Sequence, residues 1–172
     1  MKILKKILLV ILIVLIIIQF IHPKKNQSTE VLPTDISKTY AVPKDVETIL
    51  TKACNDCHSN NTVYPWYNNI QPVAWWLNNH VQEGKAHLNF SDFTSMKIAR
   101  QYKRLDDCIK EVKEGGMPLD SYTRIHKNAV LTGAEKQTLY NWCNTVRDSI
   151  KAKYPADSLV TPKEKESEHD ND

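Results

Sequence analysis

Cys54-Asn55-Asp56-Cys57-His58 is the stretch from which the rest of the chain can be read. Two cysteines with two residues between them and a histidine directly after form the attachment sequence of a covalently bound c-type haem. Each residue type has a physical task. The two thiols add across the haem vinyl groups, and the spacer on a helical turn matches the separation of those groups. The imidazole that follows is delivered to the iron as its proximal ligand. Zinc and dithiol chemistry are the competing readings. A zinc site needs further ligands, and no second Cys-x-x-Cys exists, since Cys108 and Cys143 stand apart. A thioredoxin-type dithiol calls for a βαβ setting, and no strand-rich pattern surrounds the motif. Haem attachment also requires an oxidising compartment.

The composition fits a helical fold. The chain has 172 residues, enough for one domain with appendages. It contains only four glycines, and β-branched alternation is scarce. A net charge of +3 with scattered basic residues argues against a nucleic-acid partner.

The N-terminus carries Lys2, Lys5 and Lys6 and then an unbroken run of Ile, Leu and Val over residues 7–18. With residues 19–21 the apolar stretch reaches about fifteen residues, roughly 22 Å as a helix. No small-residue cleavage site follows. Residues 1–22 therefore read as an uncleaved transmembrane anchor rather than a removed signal. The lysines set the N-terminus in the cytoplasm and the rest on the periplasmic, extracytoplasmic side of the cytoplasmic membrane.

Residues 23–42 are polar, with Pro23 and Pro33, and read as an extended linker. A helix is expected from Pro43 or Lys44, because Val46, Ile49, Leu50 and Ala53 fall on one face and run straight into Cys54. The aromatic-rich stretch 64–72 reads as loop, and Pro72 opens a helix that ends near Gly84. Trp66 and Trp75 either wall the macrocycle or fill the core. Ser91 looks like an N-cap, and a long helix is expected from Phe93 until Gly115-Gly116 stops it. Thr132-Gly133-Ala134-Glu135 has the capping-box form. The helix it starts puts Leu139, Trp142, Cys143, Val146 and Ile150 on one face and fades after Lys153. Residues 154–172 are Lys-, Glu- and Asp-rich and read as disordered.

Met117, flanked by Gly116 and Pro118, is the second chemical signal. A thioether is a soft neutral donor that suits ferrous iron, so His/Met ligation raises the reduction potential. Met117 is the expected sixth ligand and His80 its rival. Tyr122 is placed near the haem by the same reading. Cys108 and Cys143, on the two helices that bracket the Met117 loop, form either a disulfide or two buried thiols.

This layout, with an attachment helix, a Met-Pro loop and a closing helix, resembles cytochrome c. The string is closer still to a family of membrane-anchored bacterial haem-binding domains. Cys54 to His58, Tyr64-Pro65-Trp66-Tyr67, Pro72 through Trp76 with His80, and Leu88-Asn89-Phe90-Ser91 carry that resemblance. Met117-Pro118, Tyr122, His126, Ala129 and Leu131-Thr132 continue it. It implies one covalent haem, a mostly helical fold and a place outside the cytoplasmic membrane.

The expectation is therefore an all-α, cytochrome-c-like domain over residues 43–153 around one haem c, preceded by an N-terminal transmembrane anchor. Its expected work is electron transfer to an unidentified redox partner, without enzymatic turnover. A haem-based gas sensor and a peroxidase-like enzyme are the alternatives, and both need an open sixth position.

Overall fold

The computed structural model describes residues 2–160. Its α-helices are α1 (Lys2–Ile18), α2 (Ile36–Thr39), α3 (Lys44–Ala53), α4 (Asn55–His58), α5 (Val73–His87), α6 (Ile98–Glu114), α7 (Asp120–Thr123) and α8 (Gly133–Lys153). Short 3-10 turns lie between them. Among the described residues there is no strand, only an isolated bridge between Gln27 and Asn61. The helical class is as expected.

The chain parts into two compact units. Of the described residues, the first comprises 2–30 and 55–89, and the second 31–54 and 90–160. The expected cytochrome-c-like arrangement is not shown. Elements of residues 43–153 occur in both units, and the first unit also takes in residues 2–30.

The transmembrane anchor is also corrected. α1 has 17 residues, about 25 Å at 1.5 Å per residue, against a hydrocarbon core of about 30 Å. Among the described residues no helix is long and apolar enough to cross a membrane. The helix stops because Gln19 turns its amide back to the Leu15 carbonyl at 2.9 Å and across to the Gln71 carbonyl at 3.2 Å. The next residues are tied down as well, with the Ile21 carbonyl accepting from Gln71 Nε2 at 2.8 Å and Trp75 Nε1 at 2.9 Å. Placement at a cytoplasmic membrane, with the domain on its outer side, rested on that span and falls with it.

In the first unit α4 packs on α5. Asn26 forms a buried hub there. Its side-chain amide donates to the Ser59 carbonyl and to Thr62 Oγ1, both at 2.9 Å, and its carbonyl oxygen accepts from Lys85 Nζ at 2.6 Å. Its own N–H donates to the Tyr64 hydroxyl at 2.8 Å. Residues around 26, read as linker from their composition, are thus fixed in place.

The second unit is a helical core. α3 buries Val46, Ile49, Leu50 and Ala53, the face expected from their spacing. α8 buries Leu139, Trp142, Cys143, Val146 and Ile150, and its capping box forms between Thr132 and Glu135. α6 and α3 both pack on α8, and Lys52 bridges α3 to Glu135 at 2.6 Å. The long helix begins at Ile98, not Phe93. Residues Phe90–Ser95 wind as a 3-10 turn because Thr34 engages them: its carbonyl accepts from Thr94 N–H at 2.9 Å and its hydroxyl donates to Asp92 at 2.5 Å. At the other end Gly115 adopts φ +85° and closes α6, the left-handed geometry that glycine accepts without steric cost. Of the tail, residues Ala156–Leu159 form a 3-10 turn; from 161 onward it lies outside the described residues.

Candidate functional site

The motif begins at the C-terminal end of α3 and continues through the single turn α4. Cys54 caps the C-terminus of α3, its N–H donating to the Leu50 carbonyl at 2.9 Å. The chain turns there, at φ −128° and ψ −45°, and resumes as the single turn α4. So short a helix leaves its carbonyls without intrahelical partners, and local side chains supply them. The Ser59 hydroxyl donates to the Asn55 carbonyl at 2.7 Å and the Thr62 hydroxyl to the Asp56 carbonyl at 2.6 Å. Asp56 in turn accepts the Val63 N–H at 2.9 Å. This lattice of small polar residues explains why the Ser- and Asn-rich stretch after His58 is ordered.

α5 closes on α4 at a glycine. A Cβ at Gly84 would stand 2.7 Å from the Cys57 carbonyl oxygen and 3.0 Å from the Cys57 Cβ. The two backbones can meet only because no side chain stands between them. Burial, with a smaller contribution from the Asp56 charge, pushes the Cys57 thiol up to about 11. At neutral pH it is therefore a thiol, the form least prone to oxidation and metal capture.

His58 is held by its ring. Nδ1 lies 2.8 Å from the Leu88 carbonyl, just past the end of α5. A carbonyl can only accept, so Nδ1 carries the proton and the ring lone pair is on Nε2, the tautomer that an iron ligand requires. Burial depresses the pKa of His58. The Leu88 and Gly84 carbonyls oppose that shift, and neighbouring His87 adds to it. The net result favours the neutral imidazole, the form that binds metal.

The remaining expected residues divide between the units. Trp66, Trp75 and His80 share the first unit with Cys57 and His58, whereas Cys54, Met117, Tyr122, Cys108 and Cys143 belong to the second. Trp66 is 75% exposed, Trp75 37% and the neighbouring Trp76 47%, so none of them fills the core. Trp75 instead donates its indole N–H to Ile21. The His80 ring meets Trp76 edge-on at 4.4 Å, and its buried Nε2 has no hydrogen-bond partner among the described residues. Met117 is half-buried directly after α6, its N–H donating to the Glu111 carbonyl at 3.1 Å. Tyr122 stacks on His126 with ring centroids 4.3 Å apart. Cys108 and Cys143 stand as thiols, hydrogen-bonded to each other rather than bridged.

The donor set fits the expected haem. It offers two cysteines at attachment spacing, a neutral buried histidine in the ligating tautomer, and a second histidine with an orphaned buried nitrogen. Among the described residues no cluster of His, Cys, Asp and Glu is arranged to hold a bare metal ion. Sequence reasoning missed Asn26 and Gln71. Gln71 is buried, its N–H donating to Gln19 Oε1 at 2.9 Å and its amide to Ile21. A single polar residue in a proline-flanked stretch carries no periodic signal to find it by.

A family model described as a haem-binding domain matches residues 13–145. No curated protein and no solved structure matches the chain.

Proposed function

This chain belongs to the haem-binding domain family, and on that premise we propose that it holds one covalent c-type haem and works as a one-electron carrier. Haem is its cofactor. One observation carries the finer reading: Cys54, Cys57 and His58 at attachment spacing, with the His58 ring already turned into the ligating tautomer by Leu88. In this reading Cys54 and Cys57 hold the group through thioethers and His58 is the proximal ligand. Bound there, haem supplies a ferric/ferrous couple.

The chain's own contribution is rigidity and the orientation of the ligand. Leu88 fixes the imidazole plane and raises its donor strength, as second-shell partners of ligating histidines do. Gly84 lets α5 back the motif directly, and Ser59, Thr62 and Asn26 lock the turn that follows it. A site that does not rearrange between two oxidation states suits electron transfer to a partner protein. Met117 is the proposed sixth ligand, its thioether favouring the ferrous state. The orphaned Nε2 of His80 is the observation that favours a second reading, bis-histidine ligation at a lower potential.

The test is the absorption spectrum, oxidised and reduced, of the full chain produced with c-type haem maturation. Haem that stays with the polypeptide after denaturation supports covalent attachment, and its loss refutes it. A methionine–iron charge-transfer band supports Met117, whereas a low-spin spectrum without it supports His80. Prompt carbon monoxide binding by the reduced protein at native pH counts against a pure carrier. That result points to a gas sensor or a peroxidase-like enzyme.

A further inference from the structure

Haem attachment leaves two cysteines unused. Cys108 lies on α6 and Cys143 on α8, helices that pack together inside the second unit. Cys143 has no exposed surface, whereas Cys108 is half-buried. Their thiols hydrogen-bond to each other. A cysteine that serves only as a small apolar filler needs no sulfur partner. Here two residues 35 positions apart, on different helices, direct their sulfurs at one another.

We propose that Cys108 and Cys143 are a dithiol–disulfide couple, closed by exchange with a small-molecule disulfide, that clamps α6 to α8. The Cys108 thiolate attacks one sulfur of the small disulfide and displaces the other half as a thiol, leaving a mixed disulfide. Cys143 then attacks the Cys108 sulfur and displaces the second half. One S–S bond breaks and one forms. Two protein thiols are oxidised, and the small disulfide is reduced to two thiols that carry away both protons.

Cys108 goes first because it is the less buried residue of the two. The electrostatics run in the same order. The hydrogen bond from Cys143 is the main influence holding the Cys108 thiol down, against burial and the Asp107 charge. The same bond, together with burial, pushes Cys143 well up. The clamp would sit one helical turn before Glu111, whose carbonyl holds the Met117 backbone. It would therefore restrain the end of α6 from which that loop departs. The clamp itself does not depend on haem; only its bearing on Met117 rests on the ligand reading above.

The experiment takes the full haem-loaded chain, folded, and incubates it with excess oxidised glutathione. Remaining thiols are then alkylated under denaturing conditions, and the peptides are mapped. The expected product is a peptide pair joining Cys108 to Cys143, with neither residue alkylated and both recovered as thiols after dithiothreitol. Full alkylation of either cysteine, or glutathione retained on Cys108 without the cross-link, overturns the proposal. Cys143→Ala should trap glutathione on Cys108, and Cys108→Ala should leave Cys143 unreacted; the reverse pattern refutes the assigned order. The oxidised chain should melt higher than the reduced one, and equal midpoints would remove the clamp. Haem retention after denaturation is read separately, so failure of the haem assignment leaves the cross-link result standing.

Discussion

Gly84→Ala adds one methyl group at the point where α5 backs the motif. That carbon would lie 2.7 Å from the Cys57 oxygen and 3.2 Å from its carbonyl carbon, where ordinary contact begins at 3.4 Å. Both obstacles are main chain, so no rotamer change relieves them, and α4 or α5 must retreat by about 0.7 Å. Two terms oppose each other. Alanine in a helix interior gains about 1 kcal/mol over glycine, whereas overpacking a tight site costs about 1–3 kcal/mol. With a backbone obstacle the upper part of that range applies, leaving a net loss of about 1–2 kcal/mol. The retreat also shifts Cys57 relative to the His58 ring that Leu88 anchors, so covalent haem yield should fall together with stability. Urea unfolding of the haem-loaded chain measures the first effect and haem retained after denaturation the second. Gln82→Ala, at an exposed position on the same helix, serves as control and should be nearly neutral. If Gly84→Ala proves as stable as the parent with full haem attachment, the reasoning about this contact is wrong.

Other residues give further tests. Met117→Ala should abolish the methionine charge-transfer band and lower the reduction potential; an unchanged spectrum would remove Met117 as ligand and direct the same substitution to His80. Trp142→Ala empties a buried site and strips the Ala41 carbonyl of an indole N–H at 2.9 Å. It should cost about 3–5 kcal/mol in denaturant unfolding, and a loss under 1 kcal/mol would contradict the packing. Thr132→Ala removes the α8 cap and should cost about 1 kcal/mol. Glu135 predicts an acid dependence. Its carboxyl is held below the usual 4.5, chiefly by Lys52 and then by the Thr132 backbone. A lowered folded pKa contributes stability that is complete above about 4.5 and is lost as pH falls through the folded value. Lys52→Met should flatten that part of the stability profile, and an unchanged slope would show that the ion pair contributes nothing.

Where a helix announces itself by period, the sequence could be read. The four apolar residues of α3 and the five of α8 are the residues buried. The cap at Thr132 and the stop at Gly115 carry their own chemistry and stand where expected. Reading failed where a distant residue decides local structure. Nothing in residues 90–95 states that Thr34 will engage their backbone and postpone α6. Nor does the apolar run state that Gln19 will turn to Gln71 and end α1 at 17 residues. The motif can be proposed from sequence because its chemistry is local. The support behind it, from Gly84, Leu88 and Asn26, comes from up to about thirty residues away.

Asn26 has a consequence for how the molecule can be divided. A chain trimmed to start near residue 30, the natural choice if the N-terminal segment were only a tether, would discard the partner shared by Ser59, Thr62 and Lys85. Ser59 is the residue after His58, so the loss would reach the turn that the histidine stands on. Residues 22–30 are in that sense a detached piece of the proposed haem site, supplied from far upstream in the chain.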